Sequence, residues 1–273
     1  MIIKKLEKIF RFIYFKYWRV IYKYKYQIPF FDKNDFSKII NPIKYIEGSK
    51  SVAIIGKGAS IYENNPIKEI KKCDCRILLS RVDVENLEKY IGNRFEVQIA
   101  PQVSKTHTIN QVLPRKLIRK YGIKLLICNL NRTDKRFEIF NNFFQDRVEN
   151  VGYMLDRNEL DFDLDIYKYS SKGSLTIASS ILRILYNVPT VEKIIFAGVD
   201  AYHFGYSQKQ KKDGYIFLDI IPSDLETQGK PFIRYMIDSV IERNRSRRLE
   251  LYFPKVLKNH IDFPNHQCFK FYD

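Results

Sequence analysis

Short apolar runs alternate with helical segments through most of this 273-residue chain, and this alternation constrains the fold more than any other feature. Six runs rich in Ile, Leu, Val and Phe are typical of buried strands. They cover residues 51–56, 76–80, 95–100, 123–128, 193–198 and 249–253. Segments with helical periodicity cover residues 84–90, 113–121, 135–144, 174–186 and 232–244. Strands and helices in alternation predict a parallel sheet between helices.

We therefore predict the α/β class, with a Rossmann-like, mostly parallel sheet that carries helices on both faces. The sheet domain is expected to span residues 49–273, after an N-terminal arm and connector at 1–48. A composition of 45% hydrophobic residues suffices to fill one such core. Residues 202–229 have few periodic apolar positions, so we expect a long lid loop there.

The N-terminal arm is both basic and aromatic. Residues 1–28 hold eight Lys or Arg side chains and one acid, Glu7, and so supply +7 of the formal net charge of +16. Charges interrupt every apolar run, which argues against a signal peptide and against a membrane-spanning helix. An amphipathic helix on an anionic membrane fits this composition; a helix that packs on its own domain or on a partner subunit is the alternative. Nucleic acid is disfavoured because no binding motif accompanies the charge.

Metal-binding patterns are weak in this sequence. The four cysteines lack the spacing of a zinc site or of a secreted disulfide framework, and we expect reduced cytosolic thiols. They are Cys73, Cys75, Cys128 and Cys268. The run 161–165 contains Asp-x-Asp, and hard cations favour such oxygens, which would share one face of a strand. A solvated acidic loop explains the run equally well, so we predict no metal and no other cofactor.

A glycine-containing loop follows the first predicted strand directly. It consists of Gly56, Lys57, Gly58, Ala59 and Ser60. Glycines let backbone amides approach a phosphate closely. The loop lacks the later glycine of the dinucleotide fingerprint and the Lys-Ser/Thr of a Walker loop. It therefore predicts a phosphate or nucleotide site, with an ordinary strand-to-helix turn as the alternative.

Small hydroxyl residues and a glycine open the helix predicted at 174–186. Ser171, Gly173 and Ser174 lie at this helix start. A helix N-terminus lined with serines can bind an anion, although serine is also a common N-cap.

A carboxylate, two phenols and an imidazole follow the fifth predicted strand. They belong to Asp200, Tyr202, Tyr206 and His203. Parallel sheets bind their ligands at the carboxyl ends of strands, so we expect this loop to belong to the site. His203 could alternatively be a solvated loop residue.

Taken in order, these motifs resemble those of a known enzyme family. The chain has a strand followed by Gly-x-Gly-x-Ser, a strand after Cys73-Asp74, Ser-x-Gly before a helix, and a strand followed by Gly-Val-Asp-x-Tyr. This order resembles the bacterial lipooligosaccharide sialyltransferases of glycosyltransferase family 42 and is faintly similar to the animal sialyltransferase motifs. The resemblance spans residues 51–255. It implies a transferase whose donor is CMP-sialic acid.

The resemblance also implies which residues bind the donor. Ser80 and Arg81 occupy the place of the family's Arg-x-Asn neighbourhood. Tyr202 and, approximately, Tyr206 match its two phosphate-binding tyrosines. The implied nucleotide-binding residues are Gly56, Lys57, Gly58, Ser60, Ser80, Arg81, Ser171, Gly173, Ser174 and Asp200.

The sequence departs from the family pattern at three places. Lys57 replaces the usual Asn, the expected Asn after the second strand is absent, and residues 228–231 contain no His where the family has its general base. Because an imidazole suits proton removal at neutral pH, we favour His203 as the base. The alternatives are His260, Asp219 and Asp224.

The sequence thus predicts an inverting, metal-independent glycosyltransferase. It would move a sialic-acid-like sugar, Kdo or another nonulosonate from a CMP donor to a glycan of lipopolysaccharide, lipooligosaccharide or capsule. A metal-dependent transferase with a nucleotide diphosphate sugar and a non-catalytic, membrane-bound interaction protein are the alternatives. The expected location is cytoplasmic, on the inner face of the bacterial inner membrane, and a homo-oligomer is possible.

Overall fold

We describe a computed structural model of the chain, at residues 37–101, 111–169, 176–204, 210–212, 215–217 and 224–273. The strands are β1 (Ile39–Ile40), β2 (Ser51–Ile55), β3 (Cys75–Leu79), β4 (Val97–Ala100), β5 (Leu125–Asn131), β6 (Asn150–Met154), β7 (Lys193–Ala197), β8 (Gln210–Lys212), β9 (Tyr215–Phe217), β10 (Glu250–Pro254) and β11 (Phe269–Tyr272). The α-helices are α1 (Pro42–Ile46), α2 (Ser60–Glu63), α3 (Ile67–Lys71), α4 (Val84–Ile91), α5 (Arg115–Lys120), α6 (Lys135–Phe144), α7 (Ile177–Tyr186) and α8 (Lys230–Arg243).

Nine of these strands form one sheet in the order β1-β6-β5-β4-β3-β2-β7-β10-β11. Every neighbouring pair in this sheet is parallel. The predicted α/β class and parallel sheet are therefore confirmed. Strands β8 and β9 pair with each other in antiparallel fashion, within the segment predicted as a loop.

The core lies on both faces of the central strands. In β2, the side chains from Val52 to Ile55 have no exposed surface. Strands covered on both faces carry apolar residues at consecutive positions, which explains the continuous apolar runs of the sequence. Crossovers between parallel strands are right-handed as a rule. This rule places the helices between β2 and β6 on one face of the sheet, and α7 and α8, which precede and follow β7 along the chain, on the other face. Consistently, α7 packs on α8, and α3 packs on α4.

Three strands of the sheet escaped the sequence analysis. Ile39–Ile40 is only two residues long, yet it pairs with Val151 and Gly152 of β6. The sheet therefore includes residues on the N-terminal side of position 49. A glycine interrupts the apolar run of β6, because a Cβ on Gly152 would lie 3.1 Å from Pro42 Cγ. The third of these strands is β11, which pairs with β10.

All four cysteines are buried and none forms a disulfide. Within the described ranges, no helix combines the length and the hydrophobicity needed to cross a bilayer.

Candidate functional site

The strand order reverses between β2 and β7. From β2 the chain proceeds to β3 on one side, and from β7 it proceeds to β10 on the other side. In open parallel sheets the loops after two such strands diverge and leave a crevice that binds ligands. Here the position of that crevice, at the switch point, is bordered by the glycine loop (56–60) and the β7 loop (198–204). Both loops carry residues singled out from the sequence.

The two loops touch through their backbones. Gly56 N–H donates to the Ala197 carbonyl (2.8 Å), and Gly58 N–H donates to the Gly198 carbonyl (2.7 Å). A Cβ on Gly56 would collide with the Gly198 carbonyl oxygen, and one on Gly58 would collide with the Asp200 carboxylate. The glycines thus allow close loop packing. The amides of Gly56 and Gly58 are already hydrogen-bonded within the protein. They do not point to a phosphate, in contrast to the expectation from the sequence.

The Asp200 carboxylate joins the β7 loop to the start of α2. It accepts from Ser60 N–H (2.9 Å) and from the Ser60 hydroxyl. Asp200 is 4% exposed, and burial raises its pKa to about 6, against the hydrogen bonds from Ser60. Both side chains are therefore committed to holding the crevice together. The sequence analysis expected them at the nucleotide.

Lys57 brings a cation to the crevice. Its ammonium donates to Gln111 Oε1 (3.2 Å), which also accepts from the hydroxyl of Ser80 (3.1 Å). Burial, together with the nearby Arg81 guanidinium, lowers the pKa of Lys57 to about 8. Two like charges near one another favour a bound anion between or beside them. The geometry thus brings together three of the predicted residues, Lys57, Ser80 and Arg81.

Backbone conformations that side-chain-bearing residues rarely adopt cluster at the ends of two strands. Ser80, directly after β3, has φ 62°, and Ala201 and Tyr202, in the β7 loop, have φ 47° and 64°. Within the described residues these are the only non-glycine positions with positive φ. Such strain of about 1–3 kcal/mol per residue accumulates at functional sites. It is consistent with a binding role for this edge of the sheet.

Tyr202 reaches the start of α8. Its hydroxyl donates to Gln228 Oε1 (3.3 Å), and Gln228 Nε2 in turn donates to Asp224 Oδ1 (3.1 Å). A Cβ on Gly229 would collide with the Ala201 carbonyl oxygen. The β7 loop and the π-helix Leu225–Gly229 therefore pack tightly. The resemblance implied a catalytic base at residues 228–231, which begin in this helix.

The two favoured histidines lie side by side. The ring centroids of His203 and His260 are 6.2 Å apart, and the Phe204 ring meets His260 edge-on at 4.7 Å. His260 is exposed, at the end of the 3-10 helix Lys255–Asn259. Burial, then the charges of His260 and Lys230, lower the pKa of His203. The buried His203 Nε2 has no hydrogen-bond partner in the described part of the chain.

Five residues singled out from the sequence lie outside the described residues: Ser171, Gly173, Ser174, Tyr206 and Asp219. The helix predicted from residue 174 begins at Ile177 instead. Thr176 is its N-cap, and the Thr176 hydroxyl oxygen accepts from Ser179 N–H (3.2 Å).

The acidic run 161–165 is not a strand. Asp163 instead forms a bidentate ion pair with Arg183 of α7, with Nε–Oδ1 2.9 Å and Nη2–Oδ2 2.7 Å. Both oxygens of Asp163 are engaged, so this carboxylate anchors the run to α7. The described residues contain no group of three or more His, Cys, Asp or Glu suited to a metal ion.

Gln98 and Gln111 were missed by the sequence analysis. Gln98 has no exposed surface although it stands inside the apolar run of β4. A polar side chain at a fully buried strand position was the available signal, because such groups require specific partners. Gln111 carried no signal of its own.

Comparisons with known proteins place few constraints on this chain. No family model matches it, and no curated protein matches it. Among solved structures it is similar to the MAf glycosyltransferase from Magnetospirillum magneticum AMB-1, with 12% identity and a TM-score of 0.42. The match covers 81% of this chain and 33% of that structure, so this chain spans about a third of its length. A likeness this distant carries no argument about activity.

Proposed function

We propose that this chain is a glycosyltransferase that moves a sialic-acid-like sugar from a CMP-activated donor to a hydroxyl group of a glycan. The supporting observation is that three candidate groups follow the neighbouring strands β2 and β7 at the carboxyl edge of the sheet. Lys57 carries a cation at the end of β2, while Tyr202 and His203 carry a phenol and an imidazole after β7. The cation and the phenol suit the phosphate of a phosphodiester donor. The imidazole suits removal of the proton from an acceptor hydroxyl. The motif order of the sequence points to the same class of donor.

In the proposed reaction, the His203 imidazole takes the proton of the acceptor hydroxyl. The acceptor oxygen attacks the anomeric carbon as the bond from that carbon to the phosphate oxygen breaks, and CMP leaves. Lys57 and Tyr202 stabilise the negative charge that develops on the phosphate. The lowered pKa of His203 favours the neutral imidazole, which can act as a base at neutral pH.

The alternative with a nucleotide diphosphate donor loses its main support. That interpretation needed Asp163 as a metal ligand, and Asp163 is bound on both oxygens by Arg183. Metal-independent transfer from a CMP donor therefore remains the proposal.

The acceptor and the location are proposals as well. A glycan of lipopolysaccharide, lipooligosaccharide or capsule would be presented at the cytoplasmic face of the bacterial inner membrane. The basic arm at residues 1–28 would hold the enzyme there through anionic lipid. This arm lies outside the described residues.

Release of CMP from CMP-sialic acid in the presence of EDTA and a mixed glycan acceptor tests the proposal. Wild-type protein should release CMP, and His203→Ala should lower the rate by about 100-fold or more while CMP still binds. His266→Ala is the matched control, because its Nδ1 accepts from the backbone of Cys268. Activity that disappears in EDTA and returns with Mn²⁺ would contradict the proposal. Normal transfer by His203→Ala with an inactive His260→Ala would assign the base to His260.

A further inference from the structure

A chain of buried and partly buried hydrogen bonds links the interior of the sheet to Lys57. It begins at Gln98, in the middle of β4, whose side chain has no exposed surface. Gln98 Nε2 donates to the Ser80 carbonyl (2.8 Å) and, more weakly, to the Gln111 carbonyl (3.4 Å). Its Oε1 accepts from Leu113 N–H (3.3 Å). One amide therefore ties two separate loops to β4.

The second half of the chain reaches the crevice. Gln111 Oε1 accepts from the hydroxyl of Ser80 and from the ammonium of Lys57, at 3.1 and 3.2 Å. Gln98 thus fixes the backbones of Ser80 and Gln111. The Gln111 Oε1 atom then accepts hydrogen bonds from both the Ser80 hydroxyl and the Lys57 ammonium.

Two features separate this arrangement from ordinary core packing. An apolar residue would fill the interior of β4 without the cost of burying an amide. In addition, Ser80 has the left-handed conformation with φ 62°, which needs support from surrounding contacts. The bond from Gln98 to the Ser80 carbonyl provides that support.

We propose that Gln98 is a positioning residue, which holds Lys57 in the crevice by fixing Ser80 and Gln111. The functional value of this position rests on the proposed donor site. The positioning itself is a property of the protein without a ligand, so it can be tested separately.

The test is the pKa of the Lys57 amine, measured on the unliganded full-length protein by competitive acetylation across pH and mass spectrometry. In the wild type this pKa should be near 8, as expected for a buried lysine beside Arg81. In Gln98→Leu the segment at residue 111 should detach and Lys57 should regain water, so its pKa should rise by about one unit or more. Gln111→Ala removes the shared acceptor together with the bulk of the side chain beside the Lys57 ammonium, so water should reach the ammonium and its pKa should rise as well.

Ile99→Val is the matched control, since Ile99 is a buried neighbour in β4 whose side chain points to the other face. It should leave the pKa of Lys57 unchanged. An unchanged or lowered pKa in Gln98→Leu would overturn the proposal, as would a rise in Gln98→Leu that Gln111→Ala does not reproduce. If Gln98→Leu does not fold, Gln111→Ala decides alone.

A CMP titration of the same proteins separates this proposal from the proposed function. Variants in which the pKa of Lys57 is raised should bind CMP at least about 10-fold more weakly than the wild type. If the wild type binds no CMP while the pKa of Lys57 shifts as expected, the positioning role stands and the donor assignment fails.

Discussion

At the scale of single residues, the crevice holds two ionisable groups whose pKa values are shifted towards neutrality. Burial raises the pKa of Asp200 to about 6 and lowers that of Lys57 to about 8. Burial disfavours the charged form of each group, and the hydrogen bonds from Ser60 to Asp200 oppose that effect. The protein therefore retains charge in a desolvated place, as binding sites for charged ligands commonly do.

The raised pKa of Asp200 makes stability depend on pH. In the unfolded chain the pKa of this carboxyl is about 3.8, and in the folded protein it is about 6. The contribution of this group to stability is therefore greatest at low pH and declines as pH rises from about 4 to above 6, by about 3 kcal/mol in total. Asp200→Asn removes that decline. In urea unfolding, its stability relative to the wild type should thus increase between pH 4 and pH 7.5.

Asp74→Asn provides the control with the opposite sign. Hydrogen bonds from Ser51, the backbone one first, lower the pKa of Asp74, so its contribution is present above the unfolded pKa and is lost on acidification. The stability of Asp74→Asn relative to the wild type should therefore decrease as pH rises. A pH-independent difference for Asp200→Asn would show that the carboxylate of Asp200 is not desolvated.

At the scale of elements, apolar periodicity predicted the central strands and most of the helices within a few residues. The runs that became β2, β3, β4 and β7 are buried on both faces, so their signal was continuous. β1 and β6 were not predicted, because one has two residues and the other contains Gly152. The glycine loop was predicted as a phosphate site, but its glycine amides donate to the neighbouring strand and loop. Such loop contacts depend on tertiary packing, which the local sequence does not determine.

The ion pair between the acidic run and α7 gives a prediction at this scale. Asp163 and Arg183 have side chains that are 9% and 18% exposed, so loss of one charge leaves the other poorly solvated. Asp163→Asn should lower the free energy of unfolding by about 1–3 kcal/mol. Asp161→Asn, an exposed carboxylate of the same run, should change it by less than about 0.5 kcal/mol. Equal effects of the two variants in urea unfolding, or a matching loss in wild type on addition of EDTA, would argue for a metal site.

At the scale of the whole molecule, charge is distributed unevenly. Residues 1–28 carry +7 of the net charge of +16. We expect that deletion of these residues abolishes cosedimentation with anionic vesicles at low salt and leaves CMP binding intact. High salt should release the full-length protein, because surface attraction is screened. Equal pelleting of both proteins would contradict the membrane role, and loss of folding on truncation would indicate a helix that packs on the domain.

The reversal of strand order also acts at the scale of the whole molecule. It brings the glycine loop and the β7 loop together at the switch point. These loops come from residues 140 positions apart, as the Ser60–Asp200 hydrogen bond shows. A ligand that contacts both loops should therefore stabilise the entire sheet, since it bridges its two halves.

Thermal unfolding with CMP, UDP and GDP, each with and without Mn²⁺, tests the central claim most directly. At a concentration of about 100 times Kd, a ligand specific for the folded state adds about 2.7 kcal/mol, which is several degrees in Tm. The account predicts that CMP alone raises Tm without metal, and that Lys57→Met reduces this rise. Stabilisation by UDP or GDP only with Mn²⁺, or by none of the three nucleotides, would contradict it.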